Sequence, residues 1–160
     1  MLRSMGVDRT EATVNAQGRT PMSDVDSAME RFRKAVEAGD MRSLANGLDE
    51  LARDDLVQEW PQSGERIRGK ANLKRINENY SAATGTNPTA KLRRISGEGN
   101  IRVIEMTIDY GDGTPVSYVG IAEFKDGKLA KQTEYFANPF EAPAWRADFV
   151  EKMEPVAARR

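Results

Sequence analysis

Any acid–base chemistry in this chain must run on carboxylates, tyrosines, lysines or arginines, because its 160 residues include no histidine and no cysteine. That absence removes Ser–His and Cys–His nucleophile pairs, imidazole and thiolate metal ligands, and disulfides together. The remaining groups gather in a few places. The stretch Glu59–Gly69, EWPQSGERIRG, holds an indole, a proline and two acid–base pairs but no nucleophile. It reads as a strand end, stopped by Pro61, running into a helix that starts near Gly69, and so as the rim of a site. Arg66, Arg68 and Lys70 there suit an anion, although a solvated rim explains them better. Asp109 and Asp112 in DYGDG have a spacing that suits calcium, but a tight Asp-Gly turn is the simpler account. No metal and no cofactor is expected.

The charge balance, 24 basic against 25 acidic residues, gives no basic stripe for nucleic acid. No apolar run approaches the length of a bilayer span, so no membrane partner is expected. Residues 1–23 lack both periodicity and the apolar core of an export signal. They read as a disordered tail, or as upstream coding before a start at Met22, with one domain over 24–154 and a cytoplasmic location by default.

The elements that must position these groups follow from periodicity. Ser23 and Asp24 precede a helix with Met29, Phe32 and Val36 on one face, ended by Gly39. Asp40 is placed to cap a second helix striped by Met41, Leu44, Leu48 and Leu51. Leu56–Trp60 is a short strand. A third helix carries Leu73, Ile76 and Tyr80 on one side, with Gly85 after it. Strand patterns then run over Thr89–Ile95, Ile101–Tyr110, Pro115–Lys125 and Lys128–Phe136, joined by Gly-rich turns. NPFEAPAWRADFVEKM is a proline-broken lead into a last short helix, fit to lid a pocket or to pack on a partner. The class is α+β, a curved antiparallel sheet wrapped around three N-terminal helices with a central pocket.

RFRKAVEAGDMRSLANGL, DDLVQEWPQSGERIRGKANLK and YVGIAEFKDGKLAKQTEYFANPF together resemble the nuclear transport factor 2-like superfamily. Within it the chain looks most similar to SnoaL-like polyketide cyclases and ketosteroid isomerases, over roughly Asp24 to Phe140. The resemblance implies a cone-shaped α+β barrel with a deep pocket, dimeric through its outer sheet. It also implies positions for catalysis, and this chain departs from each. Phe32 stands where ketosteroid isomerases have an oxyanion-donor tyrosine. Trp60, before Pro61, stands where they have the aspartate base. Gly120, ahead of Phe124, stands where they have a protonated aspartic acid. The Asp–His pair of the cyclases has no counterpart in a chain without histidine. Without a base and oxyanion donors the family isomerisation is not expected here.

The same alignment, extended by strand alternation, yields a pocket list. Phe32 and Trp60 would face inward, with Ile104, Met106, Ile108 and Tyr110 from one strand, Tyr118, Gly120 and Ala122 from the next, and Ala130, Gln132, Glu134 and Phe136 from the last. Glu134 is then the inward carboxylate, a candidate catalytic group with Tyr118 or Tyr110 as hydrogen-bond donor, its pKa raised by an apolar wall. A salt bridge to Arg102 or Arg146 would instead make it structural. Outward Ser117, Val119, Ile121 and Glu123, beside Val103, Glu105 and Thr107, suggest a homodimer face. Three functions fit: an isomerase, cyclase or dehydratase acting on a small apolar, polyketide- or steroid-like molecule; a non-catalytic module that binds one; or a dimeric interaction module with a vestigial pocket.

Overall fold

The computed structural model describes residues 23–39 and 41–154. Residues 1–22 of the tail expected over 1–23 lie outside the described residues, as does the expected capping role of Asp40, whereas Ser23 belongs to the fold as the cap of the first helix.

Helix α1, Asp24–Glu37, begins at Ser23, whose hydroxyl accepts from the Asp26 backbone N–H at 3.1 Å. This satisfies one of the N–H groups that an α-helix leaves unpaired at its start. Its apolar stripe buries Val25, Ala28, Met29, Phe32 and Val36. Helix α2 is Met41–Leu51, and α3 is Lys70–Thr84, closed by Gly85 at φ 73, a left-handed conformation that glycine adopts without cost. The strands are β1 (Ala52–Trp60), β2 (Glu65–Arg68), β3 (Thr89–Ser96), β4 (Ile101–Asp109), β5 (Pro115–Lys125) and β6 (Lys128–Ala137). They form one six-stranded sheet in the order β2-β1-β6-β5-β4-β3. A short 3-10 turn, Ala144–Phe149, follows.

The α+β class and the wrapped sheet agree with the sequence reading, with two differences. Strand β1 runs parallel to β6, so the sheet is mixed rather than wholly antiparallel. The stretch EWPQSGERIRG is not a strand end leading straight into a helix. It is a β-hairpin in which Trp60 pairs with Glu65 and Glu59 with Arg66, and only then does α3 begin. Pro61 ends β1 by denying the ladder an N–H, while Glu65 and Arg66 restart extended pairing after Gly64. Gln62, in the turn, donates from its amide to the Phe136 carbonyl and accepts from the Phe136 N–H, tying the hairpin to the end of β6.

Alternation puts Arg102, Ile104, Met106 and Ile108 of β4 and Val116, Tyr118, Ala122 and Phe124 of β5 on the buried face. The β5–β6 hairpin turns at Asp126 and Gly127, both with positive φ, as a two-residue loop of this twist requires. Beside it the register shifts: Phe124 faces Leu129 and Glu123 faces Lys131, leaving Ala130 as an extra residue. This bulge overturns the inward placing of Ala130, since Leu129 is buried in its stead. Past the bulge, Gln132 and Glu134 point inward.

Candidate functional site

The concave face of the sheet and the three helices enclose a cavity of about 340 Å³. Its walls include Phe32 of α1, Leu44 and Leu48 of α2, Leu73, Ile76 and Tyr80 of α3, and Met106 and Ile108 of β4. Trp60, Tyr110, Tyr118 and Phe136 add aromatic surface. Among the described residues the lining contains no lysine or arginine, and its one carboxylate is Glu134. Exposure falls from Ile76 (40%) to Glu134 (8%), Gln58 (4%) and Gln132 (1%), so the carboxylate and the two glutamines sit at the closed end.

Glu134 is the hub of that end. Its Oε1 accepts from the Tyr118 hydroxyl at 2.7 Å and from Gln132 Nε2 at 2.9 Å. Its Oε2 accepts from Gln58 Nε2 at 2.7 Å and from Trp60 Nε1 at 2.6 Å. Gln132 Nε2 also donates to the Tyr118 hydroxyl at 2.8 Å. Four neutral donors fill the four acceptor positions of the carboxylate, and among the described residues no cation neutralises it. The two arginines considered as partners are engaged elsewhere: Arg102 pairs with Asp26 at 2.6 Å, and Arg146 lies over the Phe140 ring at 6.0 Å. Burial raises the Glu134 pKa above its ordinary 4.5, opposed by the Tyr118 and Trp60 donors, which favour the ionised form. Tyr118 is pushed well above the ordinary tyrosine value, first by burial and then by the Glu134 charge. Tyr110 is pushed up to about 12, by burial and then by Tyr80 and Glu134. The carbonyl oxygens of Gln58 and Gln132 are buried with no hydrogen-bond partner among the described residues.

Of the residues read from sequence as lining, the structure brings Phe32, Trp60, Met106, Ile108, Tyr110, Tyr118, Gln132 and Phe136 to the cavity beside Glu134. Ile104 and Gly120 are corrections. Ile104 is core, 2% exposed, and is not among the residues that line the cavity. Gly120 lies directly across the ladder from Glu134, but the Tyr118 phenol folds over it: a Cβ built there would collide with the Tyr118 hydroxyl and stand 2.9 Å from its ring carbon Cζ. The absent side chain is what lets Tyr118 reach Glu134. The Tyr118 ring is held by an edge-on contact with Phe136, centroids 5.4 Å apart.

Gln58 was missed, although the signal was present. With Trp60 facing in, alternation along β1 also turns Gln58 and Leu56 inward. The α2 and α3 stripes were legible as apolar faces without a sign that they bordered a void. Glu59 faces out and is held by Arg66 at 2.6 Å and Lys131 at 3.2 Å, which keep its carboxyl below the ordinary range. Arg66 and Lys70 are both ion-paired, the latter with Asp54 at 3.3 Å. Asp109 and Asp112 cap their own turn, accepting from Gly111, Gly113 and Thr114. Among the described residues no group of three or more potential ligands is placed to hold a metal, and no helix is long and apolar enough to cross a membrane.

Comparison with known proteins places this architecture. An NTF-2 like protein of unknown function from Burkholderia xenovorans LB400 is 36% identical, over 82% of this chain and 96% of that one, with a TM-score of 0.66. A Kribbella flavida DSM 17836 protein, provisionally assigned as a ketosteroid isomerase, shares the fold at 22% identity, over 85% and 94% of the two chains, with a TM-score of 0.68. A Sinorhizobium meliloti protein provisionally assigned as a polyketide cyclase does so at 19% identity, over 71% and 100%, with a TM-score of 0.53. No protein of curated function matches the chain in sequence. Residues 29–132, more than half of the chain, match the SnoaL-like domain, and the chain belongs to that family within the NTF2-like superfamily.

Proposed function

We propose that the cavity receives a small apolar molecule and that Glu134 is its proton-transfer group, in a reaction of the isomerase, cyclase or dehydratase kind. The observation that carries this reading is a buried carboxylate, without a counter-cation, at the closed end of an apolar aromatic cavity. A base or acid works best when its pKa lies near the working pH, and desolvation moves Glu134 in that direction. Of the two tyrosines considered as donors, Tyr118 is committed to Glu134, whereas the Tyr110 hydroxyl makes no hydrogen bond to the described residues and is free to meet a substrate oxygen. Trp60 is the one donor to Glu134 that is not fully buried, so it is the one a substrate displaces most readily.

Hydrogen–deuterium exchange at the α-carbon of small cyclic ketones, followed by NMR, tests the assignment. Wild-type protein should speed exchange over buffer, and Glu134→Gln should return it to the buffer rate. Equal exchange in the two proteins would sink the role of Glu134.

A second reading, a binding module without turnover, is favoured by the complete occupancy of the Glu134 acceptor positions. Under it, Glu134→Gln changes affinity, and no ketone exchanges faster than in buffer.

A further inference from the structure

The polar end of the cavity has an unequal inventory. Glu134 is the one carboxylate of the lining, and among the described residues no lysine or arginine lines the wall around it. Gln58 and Gln132 spend their N–H groups on Glu134, and Gln132 also on Tyr118. Their carbonyl oxygens are left buried and unpaired. Turning either amide over would point its oxygen at the carboxylate, so the ionised Glu134 holds both in this sense. Both oxygens are closed off from the cavity surface, and together with the carboxylate they leave this end rich in acceptors and without positive charge. The walls add Trp60, Tyr80, Tyr110, Tyr118 and Phe136. Aromatic faces around a negative centre attract a cation that brings N–H donors, and they repel an anion.

We propose that the cavity selects small apolar amines, bound as ammonium ions with the head beside Glu134 among the aromatic rings and the apolar body against α2, α3 and β4. The assignment rests on the cavity being a ligand site, as proposed above, and adds the chemical class of its ligand. The charge is offset by Glu134 through space, so the four existing bonds to that carboxylate need not break. Carboxylic acids are refused, because no cation in the lining would receive them.

Isothermal titration calorimetry near neutral pH with naphthylmethylamine, naphthylmethanol and naphthoic acid tests this, since the three share one apolar body. The amine should bind about tenfold or more tighter than the alcohol, and the acid should give no measurable heat. An alcohol that binds as tightly as the amine, or an acid that binds at all, overturns the proposal while leaving the ligand-site reading intact. No binding by any of the three overturns both. Glu134→Gln, checked for native circular dichroism, should lose the preference for amine over alcohol. A retained preference removes Glu134 from the assignment, and the wild-type series stands alone if the variant does not fold.

Discussion

Trp60→Phe isolates the bond that joins the hairpin to the buried carboxylate. The substitution keeps an aromatic wall but removes the indole N–H that reaches Glu134 Oε2 at 2.6 Å, leaving that oxygen to Gln58 alone. A hydrogen bond to a charged partner is worth about 1.5–3 kcal/mol, against about 0.5–1.5 kcal/mol for a neutral one. The loss should therefore depend on whether Glu134 is ionised. Above the raised pKa of Glu134 the variant should be less stable than wild type by about 1.5–3 kcal/mol, plus a pH-independent packing loss. As pH falls through that pKa the carboxyl becomes neutral, and the difference should shrink to the packing loss and a neutral bond. Urea unfolding followed by circular dichroism across a pH series, with equal m-values for the two proteins, measures this. A stability difference that is flat with pH would refute the reasoning, because the indole would then contribute only as bulk.

Glu134→Gln should invert the usual acid behaviour of a carboxylate. The folded-state pKa lies above the unfolded value, so the folded chain binds this proton more tightly, and the contribution of Glu134 to stability is lost as pH rises from 4.5 through the raised value. The variant should gain on wild type over that window, and parallel pH profiles in urea unfolding would contradict the pKa direction. Gly120→Ala should cost about 1–3 kcal/mol through overpacking, as the added methyl drives Tyr118 off Glu134; an unchanged thermal midpoint would show that the ring yields freely. The expected twofold dimer engages the outer face, where Val119 is 37% and Tyr135 41% exposed. Val119→Lys should convert a dimer to a monomer in sedimentation velocity, and a wild-type monomer at micromolar concentration would dispose of the interface.

The strands were legible because period-two alternation is strong in β4 and β5 and because GDGT and KDGK mark their turns. Glu134 was legible for the same reason, by alternation from Phe136 through a ladder without defects. Alternation failed at Ala130, where one extra residue moves every earlier position to the other face, and a bulge carries no reliable local signature. Strand β2 escaped because ERIR is short and charged on its exposed positions, while Ile67 alone is buried. The parallel pairing of β1 with β6 joins segments far apart in sequence, and nothing within either segment encodes it. The donor network around Glu134 depends on side-chain reach across three strands, so the residue types were visible but their convergence was not.

The bare Cα at Gly120 also couples two positions in the history open to this site. The space beside Glu134 that a side chain at 120 would fill is already taken by a phenol rooted two residues upstream. Any larger residue at 120 meets that phenol first, and truncating Tyr118 first strips Glu134 of a donor. Each single step is harmful, while the pair can compensate, since a new group at 120 takes over the vacated space. Neighbours that share one volume in this way commonly show interaction energies of about 0.5–3 kcal/mol. The order in which substitutions arrive then decides which are accessible. A lineage that has settled on tyrosine at 118 and glycine at 120 is held there by mutual exclusion, and reaching an acid at 120 means crossing a less stable intermediate.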